Sequence, residues 1–259
     1  MPDYLQVAIA AARQAGAIVR EGYGQALQIT HKGAIDLVTE YDRRSEVVIL
    51  STLRAAFPTH GISAEESGHA AGDEHEWLVD PLDGTTNFAH GFPVFSISLA
   101  LTHRRQLVLG VVYDPLREEL FTAQAGQGAS LNGTPLKVSG IAELSQALLS
   151  TGFPYDVRTN PVNNLAEFTR FQMQAQGVRR TGSAALDCAW VAAGRLDGFW
   201  EFRLNPWDVG AGALIVREAG GQVTTREGEA DFLGRPSVVA SNGLIHQQML
   251  DVLRLSTAA

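Results

Sequence analysis

The segment from Trp77 to Asn87 carries two aspartates whose spacing suits the chemistry of phosphate esters. An apolar strand is expected to end at Asp80, Pro81 forces a turn, and Asp83 precedes a Gly-Thr-Thr run that could open a helix. Free N–H groups at a helix start favour an anion, whereas two nearby carboxylates favour a hard divalent cation. A phosphate ester carried by Mg²⁺ satisfies both demands. An Asp-Pro turn followed by an Asx or threonine cap explains the same residues equally well.

Two further acidic segments add to this pattern. Glu65 and Glu66 stand ahead of the Trp77 strand, and Asp208 follows Trp207 at a position where a helix should begin. Taken singly, one glutamate of a tandem pair usually faces solvent, and an aspartate at a helix start is more often an N-cap than a metal ligand. Their joint occurrence indicates one pocket that receives carboxylates from three parts of the chain.

The composition is that of a globular chain and limits the class of partner. The 259 residues are 45% hydrophobic and 19% charged, which supplies enough apolar surface for a core and argues against disorder. The net charge of −8 has the wrong sign for neutralising nucleic-acid phosphates, so nucleic-acid binding is not expected.

The single cysteine, Cys188, excludes an internal disulfide and fits a reducing compartment. Neither a signal peptide nor an apolar run of roughly 18 residues is found, so we expect a cytoplasmic protein without membrane attachment.

Hydrophobic periodicity divides the chain into two halves. Apolar residues recur at helical spacing in residues 4–20 and 39–57, and short strands of an antiparallel meander follow from residue 77 to residue 131. After about residue 140, strands alternate with helices. We therefore predict an α+β half over residues 1–140, which binds metal and phosphate, and an α/β half over residues 141–259, which completes the active site. No linker rich in proline and serine separates them, so an extensive interface is expected.

Taken together, these segments resemble the inositol monophosphatase family, the Mg²⁺-dependent, lithium-sensitive phosphatases related to fructose-1,6-bisphosphatases. The resemblance extends over nearly the whole chain. The first family motif stands here as residues 80–88, DPLDGTTNF, and the second as residues 207–212, WDVGAG. Residues 36–39, 182–185 and 218–221 also match family landmarks. The resemblance implies an α/β protein with the layered αβαβα sugar-phosphatase fold.

The resemblance also implies which residues hold Mg²⁺. One ion would be bound by Glu65, Asp80 and the main-chain carbonyl oxygen of Leu82. A second ion would be bound by Asp80, Asp83 and Asp208, so that Asp80 bridges the two. A third and weaker ion would rest largely on Glu65 and water. Two to three Mg²⁺ ions are therefore expected.

Phosphate and water are assigned by the same resemblance. The phosphate would lie against the N–H groups of Gly84 and Thr85. A water molecule activated by Mg²⁺, and oriented by Glu65 and the Thr85 hydroxyl, would attack the phosphorus in line. The catalytic set is thus Glu65, Asp80 and Thr85, with no side chain acting as nucleophile. The sequence agrees, since it shows no convincing Ser-His-Asp or Cys-His signature.

The other side of the pocket is assigned by residues ahead of the second motif. Glu201 lies seven positions before Asp208, where inositol-specific relatives carry a glutamate that accepts hydrogen bonds from ring hydroxyls. Ala184 matches another substrate position of the family. Substrate contacts are therefore expected from Gly84, Thr85, Ala184, Glu201 and Asp208. A surface acid at a strand end is the alternative interpretation of Glu201.

Several other residues have two interpretations. Asp42, three residues after Thr39, either forms a capping box that opens the second helix or contributes to the water shell of the third metal. His90 is interpreted as a surface or hydrogen-bonding histidine rather than a catalytic acid. Arg179 and Arg180 form either a solvated basic pair or part of a subunit interface.

The sequence thus predicts a Mg²⁺-dependent phosphomonoesterase that converts inositol-1-phosphate into inositol and phosphate. Sibling activities on histidinol phosphate, fructose 1,6-bisphosphate or a nucleotide 3′-phosphate stay open, because the family shares its metal constellation and only the pocket rim discriminates. A bacterial regulatory protein associated with transcription that retains phosphatase activity also stays open. A homodimer is expected, because relatives of this size are commonly dimeric and two-fold pairing is the most frequent assembly.

Overall fold

Seven helices and fifteen strands are present in the part of the chain that the structure describes. This structure is a computed structural model, and it describes residues 3–25, 29–31 and 37–254, with the backbone alone at 29–31. Asp36 of the first landmark lies outside the described residues. The helices are α1 (Tyr4–Gly22), α2 (Glu40–Ala56), α3 (Thr85–Ala89), α4 (Leu165–Gln172), α5 (Ala184–Ala192), α6 (Pro206–Glu218) and α7 (His246–Arg254). The strands are β1 (Ile29–His31), β2 (Leu37–Thr39), β3 (Gly61–Ala64), β4 (Gly68–Ala70), β5 (His75–Asp83), β6 (Ser96–His103), β7 (Gln106–Asp114), β8 (Glu119–Gln124), β9 (Ala129–Leu131), β10 (Thr134–Pro135), β11 (Leu148–Thr151), β12 (Gly177–Arg179), β13 (Gly198–Phe202), β14 (Gln222–Thr224) and β15 (Ser237–Ser241).

The larger sheet has eight strands in the order β10-β9-β8-β7-β6-β5-β3-β4. Strands β5 to β10 pair antiparallel with their neighbours along the chain, which confirms the predicted meander. The structure adds β3, which runs parallel to β5, and the exposed edge strand β4. Because β3 and β5 are parallel, their carboxyl ends lie at the same edge of the sheet.

The smaller sheet has five strands in the order β12-β11-β13-β15-β14. Strand β11 is parallel to both β12 and β13, whereas β15 is antiparallel to β13 and β14. This mixed pairing agrees with the alternation of strands and helices after residue 140. Glu201 lies on the central strand β13 of this sheet, opposite Val238.

Helices separate and cover the two sheets, which gives five layers. Helices α1 and α2 pack on one face of the larger sheet, around Trp77 and Val79. The opposite face, with Leu78 between those two residues along the strand, contacts α5 and α6. Those helices also cover the smaller sheet, whose outer face packs against α4 and α7. The α/β class and the αβαβα layering predicted from the sequence are therefore confirmed.

Small residues of the second motif bring α6 close to its neighbours. A Cβ atom on Gly110 of β7 would lie 2.7 Å from the carbonyl oxygen of Ala211, so the strand and the helix touch through their backbones. A Cβ atom on Gly212 would collide with Cys188 of α5. The glycines of WDVGAG are thus packing residues that hold the amino-terminal end of α6, and with it Asp208, near the larger sheet.

The buried ring of His246 leads us to expect that the folded protein is less stable in acid. Its ring is buried, with Nδ1 2.8 Å from the Ser241 hydroxyl and Nε2 2.9 Å from the Thr224 hydroxyl. Burial lowers the pKa of His246 from 6.5 to about 4. The unfolded chain therefore binds this proton first, and folding stability should fall as the pH drops from 6.5 to 4. We expect H246Q to weaken the pH dependence of the urea midpoint over that range, and an unchanged dependence would contradict this role.

Candidate active site

The carboxyl ends of β3 and β5 bring the first two acids together. Glu65 directly follows β3, and its backbone N–H donates to the carbonyl oxygen of Val79 at 3.1 Å. Asp80 lies on the neighbouring strand and is only 2% exposed. One carboxylate oxygen of Asp80 accepts the N–H of Leu82 at 3.0 Å, within an irregular stretch of β5 where the pairing register with β6 shifts between Asp80 and Asp83. The expectation that the strand ends at Asp80 and that Pro81 forces a turn is wrong, because β5 continues through Pro81 to Asp83 and accommodates the proline at this irregularity. Glu65 and Asp80 nonetheless lie side by side, since each directly follows one residue of the Ala64–Val79 pair.

Asp83 is held by the amino-terminal end of α5. Its carboxylate accepts the Ser183 hydroxyl at 2.5 Å and the backbone N–H groups of Ala184 and Ala185 at 3.2 and 2.9 Å. The family segment at residues 182–185 thus fixes the side chain of Asp83 through three hydrogen bonds. Such donors fix the direction of a carboxylate and leave its remaining lone pairs free for a cation.

The first motif then turns sharply into the short helix α3. Gly84 has φ of 95°, and a Cβ atom there would lie 3.0 Å from the carbonyl oxygen of Val94 and 3.1 Å from that of Gly182. Glycine is therefore required both by conformation and by space. The side-chain amide of Asn87 donates to the carbonyl oxygens of Val94 and Thr181, each at 2.8 Å. These contacts lock the turn against the loop before α5.

Asp208 lies in the first turn of α6 and has two roles there. Its carboxylate accepts the N–H of Asn205 at 2.6 Å in a capping box, as expected for an acid at a helix start. The same side chain lines a cavity of about 430 Å³ together with Glu65, Asp80 and Asp83. Asp208 is therefore both a capping residue of α6 and one of the acids that line the cavity.

Burial, with repulsion among the acids, raises the pKa of all three aspartates of the cavity. Burial raises the pKa of Asp80 well above its ordinary value, and the charges of Glu65, Asp83 and Asp208 raise it further. Burial raises the pKa of Asp83 to about 6, against the hydrogen bonds from Ser183 and α5. The pKa of Asp208 is also raised, mainly by burial. Buried carboxylate oxygens that gather around one cavity are the hard oxygen donors that Mg²⁺ prefers, so these residues fit the ion.

Asp42 forms the capping box that was one of its two interpretations, and it also contacts the first motif, which was not expected. The capping box with Thr39 is confirmed, because Asp42 Oδ2 accepts both the N–H and the hydroxyl of Thr39. Its other oxygen lies 2.8 Å from the Thr85 hydroxyl, and that hydroxyl is also 3.0 Å from the Leu82 carbonyl. Asp42 therefore supplies a proton acceptor to the residue expected to orient water.

Glu201, on β13, lines the same cavity as the first motif. Its carboxylate lies directly against Gly152, where a Cβ atom would occupy the same space. Burial raises the pKa of Glu201 well above its ordinary value, Asp187 and Asp208 raise it further, and Arg180 opposes them. Ala184 also lines the cavity, so every side chain expected to contact substrate faces it.

Sequence reasoning missed Asp187, which also lines the cavity. Asp187 is 1% exposed and accepts the Thr181 hydroxyl at 2.8 Å. Burial raises the pKa of its carboxyl well above the ordinary value. An aspartate inside the otherwise apolar helix α5 is the signal that could have identified it. Of the two arginines with open interpretations, Arg180 lines the cavity and Arg179 is exposed.

A second group of potential ligands lies at the opposite end of the same strands. His60, Asp73 and His75 offer nitrogen and oxygen atoms within 4.8 Å of one another. The two imidazole rings stack at 4.5 Å and 11°, so their lone pairs run side by side rather than converge. His60 Nδ1 also accepts the indole N–H of Trp77 at 3.1 Å. These contacts favour an aromatic stack over a metal centre, whose ligands must point at one ion.

Comparisons with known proteins agree with this geometry. The sequence model of the inositol monophosphatase family matches residues 2–258. A Pseudomonas aeruginosa protein named Nus factor SuhB is 44% identical, over 98% of this chain and 97% of the relative. A Synechocystis protein named inositol-1-monophosphatase is 46% identical, over 98% of this chain and 89% of the relative. The solved structure of extragenic suppressor protein suhB from Bartonella henselae is 41% identical and superimposes with a TM-score of 0.93, covering 98% of this chain and 99% of that one.

Proposed function

The chain belongs to the inositol monophosphatase family, and from that premise we propose that it hydrolyses inositol-1-phosphate with two to three Mg²⁺ ions. Membership supports a phosphatase, and the family is generally Mg²⁺-dependent. The observation that carries the proposal is the set of four acids, Glu65, Asp80, Asp83 and Asp208, around one cavity with raised pKa values for the three aspartates. Cytoplasmic location and lithium sensitivity are further predictions of the family assignment. Among the described residues, no helix combines the length and the apolar character needed to cross a membrane.

Different residues of the cavity would bind the metal and phosphate and the alcohol part of the ester. Glu65, Asp80, Asp83, Asp208 and the Leu82 carbonyl would hold Mg²⁺, which when bound neutralises phosphate oxygens and lowers the pKa of water. The backbone N–H groups of Gly84 and Thr85 orient the phosphate. Glu201 and the backbone near Ala184 receive the alcohol part of the ester.

Thr85 and Asp42 form a hydrogen-bonded pair that can orient the attacking water. The Thr85 hydroxyl donates to Asp42 at 2.8 Å, so its oxygen can still accept a hydrogen bond from water. Asp42 is fully buried, and burial raises the pKa of its carboxyl while Thr39 and Thr85 oppose that shift. This pair therefore sets the direction in which the attacking water points.

We expect D42N to lower kcat about a hundredfold with little change in KM. The amide can still cap α2 through its oxygen, but it no longer accepts from both sides as a carboxylate does, so Thr85 loses its fixed orientation. Steady-state kinetics and a thermal melt of D42N measure the two effects separately. A fall in melting temperature with unchanged kcat would show that Asp42 acts as a helix cap alone.

A phosphate-release panel tests the proposed substrate. Inositol-1-phosphate, histidinol phosphate, fructose 1,6-bisphosphate and a nucleotide 3′-phosphate should be compared as kcat/KM in Mg²⁺ and in EDTA. We expect the highest value for inositol-1-phosphate and no turnover in EDTA. A higher value for another ester would reassign the substrate within the same family chemistry.

A regulatory function is the second candidate, because close relatives carry the name Nus factor SuhB. The net charge of −8 argues against direct binding of nucleic acid, so a protein of the transcription machinery is the expected contact. A pull-down with RNA polymerase should compare wild type with D80N. Equal retention of both proteins would show that such a contact is independent of catalysis.

We also predict a homodimer, on the family assignment and the frequency of two-fold assemblies. Light scattering at micromolar protein should give twice the chain mass of 27.8 kDa. A mass of one chain at that concentration would refute the prediction.

A further inference from the structure

The buried face of α2 changes from apolar to polar as it approaches the candidate site. Ile49, Leu50 and Leu53 pack in the core, whereas Ser45 and Glu46 occupy the same face one turn earlier. Glu46 is only 4% exposed. A buried carboxylate is costly unless its oxygens are hydrogen-bonded, so the partner of Glu46 indicates why it is there.

Both polar side chains bind backbone groups next to proposed Mg²⁺ ligands. Glu46 Oε2 accepts the backbone N–H of Glu66 at 2.8 Å, and Glu66 directly follows Glu65. The Ser45 hydroxyl donates to the carbonyl oxygen of Pro81 at 2.7 Å, and Pro81 directly follows Asp80. One helix face thus contacts the ends of both strands that carry the acids.

The contact of Glu46 falls on a turn at the edge of the larger sheet. Residues 65–67 connect β3 to β4, and β4 is the exposed terminal strand of that sheet. On the inner side, the Glu65 N–H is held by Val79 at 3.1 Å. Glu46 holds the next N–H from the side of the helix, so the N–H groups of the two peptides that flank the Glu65 Cα atom are both held.

We propose that Glu46 is a positioning residue that sets the direction of Glu65 for Mg²⁺. The inference rests on the proposed function, since it assumes that Glu65 is a metal ligand. It assigns to Glu46 no contact with the ion or the substrate. A carboxylate that orients a ligand through its backbone affects metal affinity roughly tenfold to a hundredfold, by analogy with other groups that orient metal ligands.

Two conservative variants separate position from charge. E46D keeps the negative charge but shortens the side chain by one methylene, which withdraws the oxygen from the Glu66 N–H. E46Q removes the charge but keeps an oxygen at the same reach. E40Q, on the same helix without a contact to the site, is the matched control for loss of a carboxylate. All three substitutions are small enough for circular dichroism and thermal melts to verify the fold.

Calorimetric titration of chelator-treated protein with Mg²⁺, without substrate, is the measurement. We expect E46D to weaken Mg²⁺ binding about tenfold, and E46Q and E40Q to stay within about threefold of wild type. In kinetics, E46D should need more Mg²⁺ for half-maximal activity but should approach wild-type kcat at saturation. Failure of wild type to bind Mg²⁺ would overturn the proposed function itself. Normal binding by wild type with E46Q weakened as much as E46D, or with neither weakened, would overturn the positioning role alone.

Discussion

Replacing Asp80 with asparagine should abolish phosphatase activity while the protein stays folded. Asp80 is buried at the strand end, and the charges of Glu65, Asp83 and Asp208 act on it together. If it bridges two ions, a neutral amide removes one negative charge from each of them at once. Metal stabilisation of the transition state amounts to several kcal/mol, so kcat/KM should fall roughly a thousandfold or more. Phosphate release from inositol-1-phosphate in Mg²⁺ measures this loss.

The same variant should be more stable than wild type when no metal is bound. The pKa of Asp80 is raised in the folded protein, so its ionised form destabilises the fold at pH values above about 4, where the unfolded chain already prefers the charged form. At pH 7.5 in EDTA, D80N should therefore melt at a higher temperature than wild type, and Mg²⁺ should raise its melting temperature less. D231N, at an exposed acid far along the chain, is the matched control. Full activity of D80N, or of wild type in EDTA, would contradict the proposed role.

The parts of the site that the sequence predicted are those encoded by local spacing. Helix α3 and the start of α6 depend on neighbouring residues and both are present, whereas the turn expected at Pro81 is an irregularity inside β5. The meander and the two opening helices were also readable, since apolar residues alternate or recur at helical spacing there. The layered fold and the ligand set came from the resemblance to the family, and the structure confirms the layering. The proposed boundary at residue 140 remains a prediction.

The parts that the sequence did not predict depend on contacts between distant residues. Thr85 and Asp42 are 43 positions apart, and Asp83 meets Ser183 across 100 positions. Hydrophobic periodicity cannot predict such contacts between distant residues. Each of these residues also has a local explanation as a cap or a turn. Strands β3, β4 and β12, with three or four residues each, are too short to give a reliable alternation. Glu46 was missed because a buried acid on an amphipathic helix looks like a solvated one until the packing is known, whereas Asp187 stood out in the apolar sequence of α5.

Glu201 offers the sharpest test of substrate choice, because the structure shows what holds it in place. Its carboxylate lies against Gly152, and the residue lines the cavity from β13. Replacing it by glutamine keeps the shape but weakens its acceptance of hydroxyl hydrogen bonds, by about 1 to 3 kcal/mol. Hydrolysis of inositol-1-phosphate by E201Q should therefore fall about tenfold or more in kcat/KM.

A second substitution displaces Glu201 without changing it. In G152A the new methyl group would occupy the position of the Glu201 carboxylate, which can rotate away because it ends a flexible side chain. We expect G152A to lose inositol-1-phosphate turnover to the same degree as E201Q, whereas G140A, with open space around its Cβ, should behave as wild type. A small aryl phosphate has no ring hydroxyls to lose, so its turnover should change little in all three variants. Equal losses on both substrates would instead show that Glu201 supports the metal-binding acids, and would leave the choice of substrate to Asp187 and Arg180, which also line the cavity.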